Sequence, residues 1–141
     1  MSDPLVDEQA TATMRGAMPF TATLGVDVLR ATENEVCAQL MWHESLTTSG
    51  GVLHGGALMA LADATGGLCA FLNLPAGAGT STIESKTNFL RAVRSGPATA
   101  VARPLHVGRR VIVVETEIRD DDGKLAAKVT QSQAVLAPQG G

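Results

Sequence analysis

Aromatic side chains are scarce in this chain: there is no tyrosine, one tryptophan (Trp42) and three phenylalanines (Phe20, Phe71 and Phe89). With 45% hydrophobic residues among 141, one domain of ordinary size has enough material for a core, but that core must be aliphatic. Few rings remain as platforms on which nucleic-acid bases could stack. Basic runs are missing too, and the formal net charge is −3, which argues against nucleic acid or an anionic membrane surface as the main partner. Cysteine is represented only by Cys37 and Cys69. They form no CxxC pair, so they read as buried thiols in a reducing compartment rather than as a disulfide framework. The opening stretch MSDPLVDEQATATMRG lacks the basic start and apolar run of a signal peptide, so the cytoplasm is the expected location. His43, His54 and His106 have no metal-ligand spacing, and no metal site is expected.

What is present is concentrated in VLHGGALMALADATGGLCAFLN, residues Val52 to Asn73. After His54-Gly55-Gly56 the residues are apolar on every side of a helical wheel, the pattern of a buried helix. A membrane span is the alternative for about twenty apolar residues. Asp63 and the Gly66-Gly67 pair interrupt the run, and no basic flank follows it, which favours a core helix. An ionised carboxylate in apolar surroundings is costly unless it is paired, hydrogen-bonded or reached by water, so Asp63 requires a reason. Gly55 and Gly56 permit a close turn into the helix and leave its first N–H groups free to donate to an anion or a carbonyl oxygen.

In chain order, residues 1–22 form an N-terminal helical segment. Leu5 to Ala17 is the expected helix, with Asp3 as N-cap, Pro4 at its first position and Pro19 as its end. Leu24 to Leu29 and Val36 to Trp42 read as strands around a turn at Glu33-Asn34. A loop rich in Ser, Thr and Gly leads to the apolar helix, expected over Gly55 to Asn73. Thr80 to Val93 reads as a long strand broken by Ser95-Gly96-Pro97. Ala98 to Leu105, Val111 to Arg119 and Lys124 to Leu136 then form an antiparallel meander, in which Asp122-Gly123 is a hairpin signal. Residues 137–141 read as a frayed tail. The expected fold class is α+β: an antiparallel sheet of five to six strands wrapped around one long central helix, within a single domain of residues 1–141.

This order of elements, together with HGGALMALAD and TNFLRAV (Thr87 to Val93), resembles the hotdog-fold thioesterases, specifically their PaaI-like branch, over roughly Leu24 to Leu136. The resemblance implies hydrolysis of acyl-CoA thioesters, with CoA as part of the substrate and no cofactor. It implies that the Gly55 N–H polarises the thioester carbonyl and that Asp63, from a partner subunit, serves as general base or as nucleophile. It further implies a homodimer with shared active sites, and commonly a homotetramer. Relatives carry Asn or Gln six residues before the histidine, where this chain has Thr48. A Ser or Thr that binds the attacking water in relatives corresponds to Thr82, with Ser81 as the alternative. His54 is expected to hold the turn rather than to transfer protons.

CoA carries phosphates, and the planar fork of arginine suits them. Arg91, Arg109 and Arg110 are therefore the candidate CoA-binding residues. Two rival functions share this pattern. One is a protein of the same fold that binds acyl-CoA without hydrolysing it, a reading to which Thr48 gives weight. The other is a dehydratase of acyl thioesters, which would need a longer acid-histidine signature than this chain has.

Overall fold

The computed structural model describes residues 6–138. The chain begins with α1 (Glu8–Ala17) and α2 (Pro19–Leu24). The Asp7 side chain accepts from the Ala10 N–H at 2.9 Å, so α1 starts at Glu8 rather than Leu5; Asp3 and Pro4 lie outside the described residues. Pro19 does not simply terminate a helix. It occupies the first position of α2, where its missing N–H costs nothing, and Gly25, with φ of 78°, closes that helix in the left-handed conformation. The first strand is therefore displaced to β1 (Asp27–Ala31) instead of beginning at Leu24. Arg15 pairs with Asp27 at 3.0 Å, and the Val28 N–H donates to Thr11 Oγ1 at 2.9 Å; both fix α1 against β1.

After β2 (Val36–Met41), the Ser/Thr/Gly loop folds into a two-stranded hairpin of β3 (Thr47–Thr48) and β4 (Val52–Leu53). The central helix α3 spans Gly55–Phe71, followed by β5 (Gly79–Phe89), β6 (Pro97–Val107), β7 (Val111–Arg119) and β8 (Leu125–Leu136). Together β1, β2 and β5 to β8 make an antiparallel six-stranded sheet in the order β1-β2-β6-β7-β8-β5. This is the α+β architecture expected from the sequence. The sheet places Val36, Ala38 and Leu40 of β2, Ala98, Ala100 and Ala102 of β6, and Ile112, Val114 and Ile118 of β7 in the core. The alanine row of β6 lets α3 come close to the middle of the sheet. Leu61 of α3 is fully buried, and its truncation to alanine should cost about 2–5 kcal/mol.

The sheet covers only part of α3. Ala57, Leu58, Leu61, Ala62, Thr65, Cys69 and Ala70 are buried, whereas Gly56, Met59, Asp63 and Phe71 are exposed. These four follow one another at helical spacing and form a stripe that the single chain leaves open. A helix wrapped on all sides, as its composition suggested, is therefore not what this chain alone builds, and Asp63 stands on the open side. Among the described residues no helix is long and apolar enough to cross a membrane.

One irregularity positions the site. β5 runs along β8 with Thr82 opposite Gln133 and Glu84 opposite Ser132, so Ile83 is an extra, bulged residue. Side chains alternate between the faces of a strand, and residues 82 and 89 would normally point to opposite faces. The bulge resets the alternation, which lets both Thr82 and Phe89 meet α3.

Candidate active site

The helix start is built from its own sequence. His54 is the N-cap of α3, and its Nδ1 accepts from the Gly56 N–H at 2.7 Å. Nδ1 is therefore the acceptor, and the ring proton sits on Nε2. This cap consumes the Gly56 donor and leaves the Gly55 N–H without a partner among the described residues. The loop before it is tied down by Trp42 Nε1 donating to the Gly51 carbonyl at 3.0 Å and by Arg94 donating to the Gly50 carbonyl at 3.1 Å. The Leu53 N–H donates to the Val93 carbonyl and the His54 N–H to the Leu46 carbonyl, both at 2.9 Å.

Gly55 packs under an aromatic side chain. A Cβ there would lie 3.1 Å from the Phe89 ring, which rests on the helix start. Thr48, Gly55, Phe89 and Arg91 line one cleft of about 380 Å³. The structure thus brings together three of the residues expected from the sequence, Thr48, Gly55 and Arg91, and adds the Phe89 ring.

Asp63 belongs to a second cleft, of about 320 Å³, whose walls include Met14 and Met18 from the N-terminal segment, Gly67, Leu68 and Phe71 from α3, and Ser81 and Thr82 from β5. The lining is mostly apolar, and it also includes Thr13 of α1 and Thr80 of β5. Asp63 Oδ1 accepts from Thr82 Oγ1 at 3.0 Å and from Gln131 Nε2 at 3.3 Å. Behind Thr82, Gln133 Nε2 donates to Thr82 Oγ1 at 2.7 Å. Thr80 Oγ1 lies 3.0 Å from Gln133 Oε1 and 2.9 Å from the Ala134 carbonyl. Of the two hydroxyls considered from the sequence, Thr82 rather than Ser81 contacts Asp63.

Gln131 and Gln133 were not singled out from the sequence. Both are buried, on the row of β8 that also carries Ala127 and Val129 into the core. The signal was available in VTQSQAV: the inward positions of an otherwise apolar strand switch to two amides, and buried amides need hydrogen-bond partners.

The two clefts are separated within one chain. Gly55 and Asp63 are eight residues apart on α3, about 12 Å along its axis at the usual rise. Arg109 and Arg110 sit at the turn between β6 and β7 and line neither cleft. The thiols are unsuited to nucleophilic work. Burial pushes Cys69 up to about 11, and burial also raises Cys37 against the opposing effect of Arg30 and Arg103, so both stay protonated near neutrality.

Comparison with known proteins places the chain in a family of hydrolases. The family model described as the Thioesterase superfamily matches residues 50–127, which hold the HGG turn, α3 with Asp63, and β5 with Thr82. A protein of Saccharolobus solfataricus named only as an esterase is 41% identical over 80% of this chain and 80% of its own length. The 1,4-dihydroxy-2-naphthoyl-CoA hydrolase of Escherichia coli is 34% identical over 61% of this chain and 63% of its own length. The crystal structure of a thioesterase from Haemophilus influenzae superposes with a TM-score of 0.87 at 28% identity, covering 98% of this chain and 95% of that one.

Proposed function

The chain belongs to the thioesterase superfamily, and from that premise we propose that it is a PaaI-like acyl-CoA thioesterase, working as a dimer whose active sites combine Asp63 of one copy with Gly55 of the other. The observation that carries this reading is the open stripe of α3, which holds an anchored carboxylate, while an N–H with no partner among the described residues waits at the helix start about 12 Å away. One thioester carbonyl cannot touch both within a single chain. A second copy related by a two-fold axis, with its α3 running antiparallel across the stripe, supplies the missing half of each site. β5 forms an edge of the sheet and carries exposed Ile83 and Phe89, an apolar edge of the kind that natural proteins cover. A tetramer of two such dimers is the assembly the family resemblance implies.

In the reaction, the Gly55 N–H at the positive end of α3 donates to the thioester carbonyl oxygen as it gains charge. Asp63, held through Oδ1, uses Oδ2 either to take a proton from water attacking the carbonyl carbon or to attack that carbon itself. The carbon–sulfur bond breaks and CoA leaves as its thiol, taking the proton that water gave up. On the base route the acid is then free. On the nucleophile route the mixed anhydride between Asp63 and the acyl group is cleaved by water, which restores the carboxylate and releases the acid. Thr82 orients the carboxylate and the attacking water. Thr48 takes the place of the amide of relatives as a side-chain donor to the substrate. Arg91, in the cleft of Gly55, contacts CoA phosphate, and Arg109 and Arg110 are candidates for the same role from a neighbouring copy. The mostly apolar cleft of Met14, Met18, Leu68 and Phe71 suits an uncharged acyl group, and the naming of one relative for an aryl-CoA ester supports including aryl esters.

A panel of aryl- and alkyl-CoA esters tests the proposal through release of free CoA thiol. Turnover of at least one ester, abolished by Asp63→Asn, is the expected result. Binding without release from any ester would instead establish an acyl-CoA-binding protein, and water addition to an enoyl ester would establish a dehydratase.

A further inference from the structure

The Gln131 side chain is fully buried beneath α3. Its Nε2 donates to Asp63 Oδ1, while its Oε1 has no hydrogen-bond partner among the described residues. An amide next to a carboxylate must turn its NH2 toward it, because a carboxylate only accepts; this orientation leaves Oε1 pressed against Gly66. A Cβ at residue 66 would lie 2.6 Å from Gln131 Cδ and overlap the amide oxygen. The helix can therefore lie over this amide only with glycine at that position. Gln133, one step along the same row, has partners at both ends, so of these two amides only Gln131 keeps an acceptor unpaired among the described residues.

Leaving a buried acceptor unpaired is unfavourable, and an apolar residue under the helix would avoid it. We infer that Gln131, admitted beneath α3 by Gly66, is a positioning residue that holds Asp63 Oδ1 together with Thr82, so that Oδ2 is presented to the reacting thioester. The inference rests on the hydrolase reading above. Gln131 acts only through Asp63 and does not touch the substrate. Its removal should therefore slow the chemical step and leave substrate affinity unchanged.

The test measures kcat and KM for a CoA ester that the wild-type protein hydrolyses, in Gln131→Met, Gln131→Ala, Gly66→Ala and the double variant Gly66→Ala/Gln131→Ala, with thermal unfolding of each. Methionine conserves volume and removes the donor, which separates positioning from packing. Gln131→Met is expected to lower kcat about tenfold or more, the scale of one lost hydrogen bond to a charged group, with KM within about twofold and no collapse of Tm. Gly66→Ala displaces the amide and should produce a similar loss. The double variant should be no slower than Gln131→Ala alone, because both changes remove the same contact. Wild-type kcat in Gln131→Met, multiplicative losses in the double variant, or losses that follow Tm and KM would each overturn the inference while leaving the hydrolase reading intact. A wild-type protein that releases thiol from no CoA ester overturns both.

Discussion

Thr82 Oγ1 donates to Asp63 Oδ1 at 3.0 Å, joining the edge strand β5 to the central helix α3 across the mouth of an apolar cleft. The bulge at Ile83 makes this contact possible, and the amide of Gln133 supports the hydroxyl from behind. Replacing Asp63 by Asn keeps the shape and removes the basic oxygen; kcat for a CoA ester should fall at least about a hundredfold, the usual scale for a lost general base. Thr82→Val should cost about tenfold in kcat, and Thr82→Ser should restore most of it. Steady-state thiol release checks both, and a fully active Asp63→Asn would remove the carboxylate from the reaction.

His54 caps α3 with Nδ1, and asparagine is among the residues that cap best. His54→Asn should therefore keep kcat within a few-fold and hold stability. His54→Ala should lose about 1 kcal/mol and part of the activity, as the Gly56 N–H is set free and the turn loosens. A dead but stable His54→Asn would instead give the imidazole a direct part in the chemistry.

Arg91 shares a cleft with Gly55 and Phe89. Arg91→Ala should raise KM for CoA esters and leave kcat largely unchanged, with a weaker response to added salt because a phosphate contact is lost. Arg109→Ala and Arg110→Ala, measured alongside, decide whether the β6–β7 turn of a neighbouring copy reaches the same phosphates. A fall in kcat at constant KM would take the affected arginine out of the CoA site.

Cys69 titrates from an ordinary 9.0 up to about 11 because it is buried. Below pH 9 the thiol is protonated in both folded and unfolded chains and has no effect on stability. Between pH 9 and 11 the unfolded chain releases the proton while the folded one keeps it, so stability falls as pH rises. The loss approaches about 3 kcal/mol, two units at 1.36 kcal/mol each. Urea unfolding of the wild type and Cys69→Ala should diverge through this window, with the wild type losing more. Parallel curves would show that the thiol is not shielded as the structure indicates.

Much of this could be read in the sequence because it depends on local patterns. β7 spans Val111–Arg119 as alternation indicated, β8 ends at Leu136 as expected, and Asp122-Gly123 turns between them. The HGG turn and the acid in the apolar helix could be read directly, and the structure sets Gly55 and Asp63 in two separate clefts. What the sequence concealed depends on tertiary partners. Pro19 fits the end of one helix and the start of another equally well, and in the structure non-helical Met18, with φ of −127° and ψ of 82°, separates the two helices. The bulge at Ile83 leaves no mark in a run of β-branched and polar residues, so strand alternation alone could not place Thr82 and Phe89 on one face. The open stripe was invisible because Gly56, Met59 and Phe71 are as apolar as the buried side of α3; composition cannot say which apolar face is covered by the same chain and which awaits another. Gln131 and Gln133 had a visible signal, two amides on an inward row, but their partners lie on other elements.

The central claim, that each site takes its acid from one copy and its helix start from another, is tested most directly by subunit complementation. Asp63→Asn removes the acid. Gly55→Pro removes the N–H at the first helical position, where proline is tolerated; its Cβ would lie 3.1 Å from the exposed Phe89 ring, which must give by a few tenths of an ångström, and His54 already has φ of −60° and ψ of 137°, the conformation required before proline. Each variant alone should be inactive. Unfolded together in equal amounts and refolded, they should recover about one quarter of wild-type activity, because half of the dimers are mixed and each mixed dimer has one intact site out of two under two-fold symmetry. Mixed dimers that form, as shown by differently tagged chains, but remain as inactive as the parents would contradict the shared site.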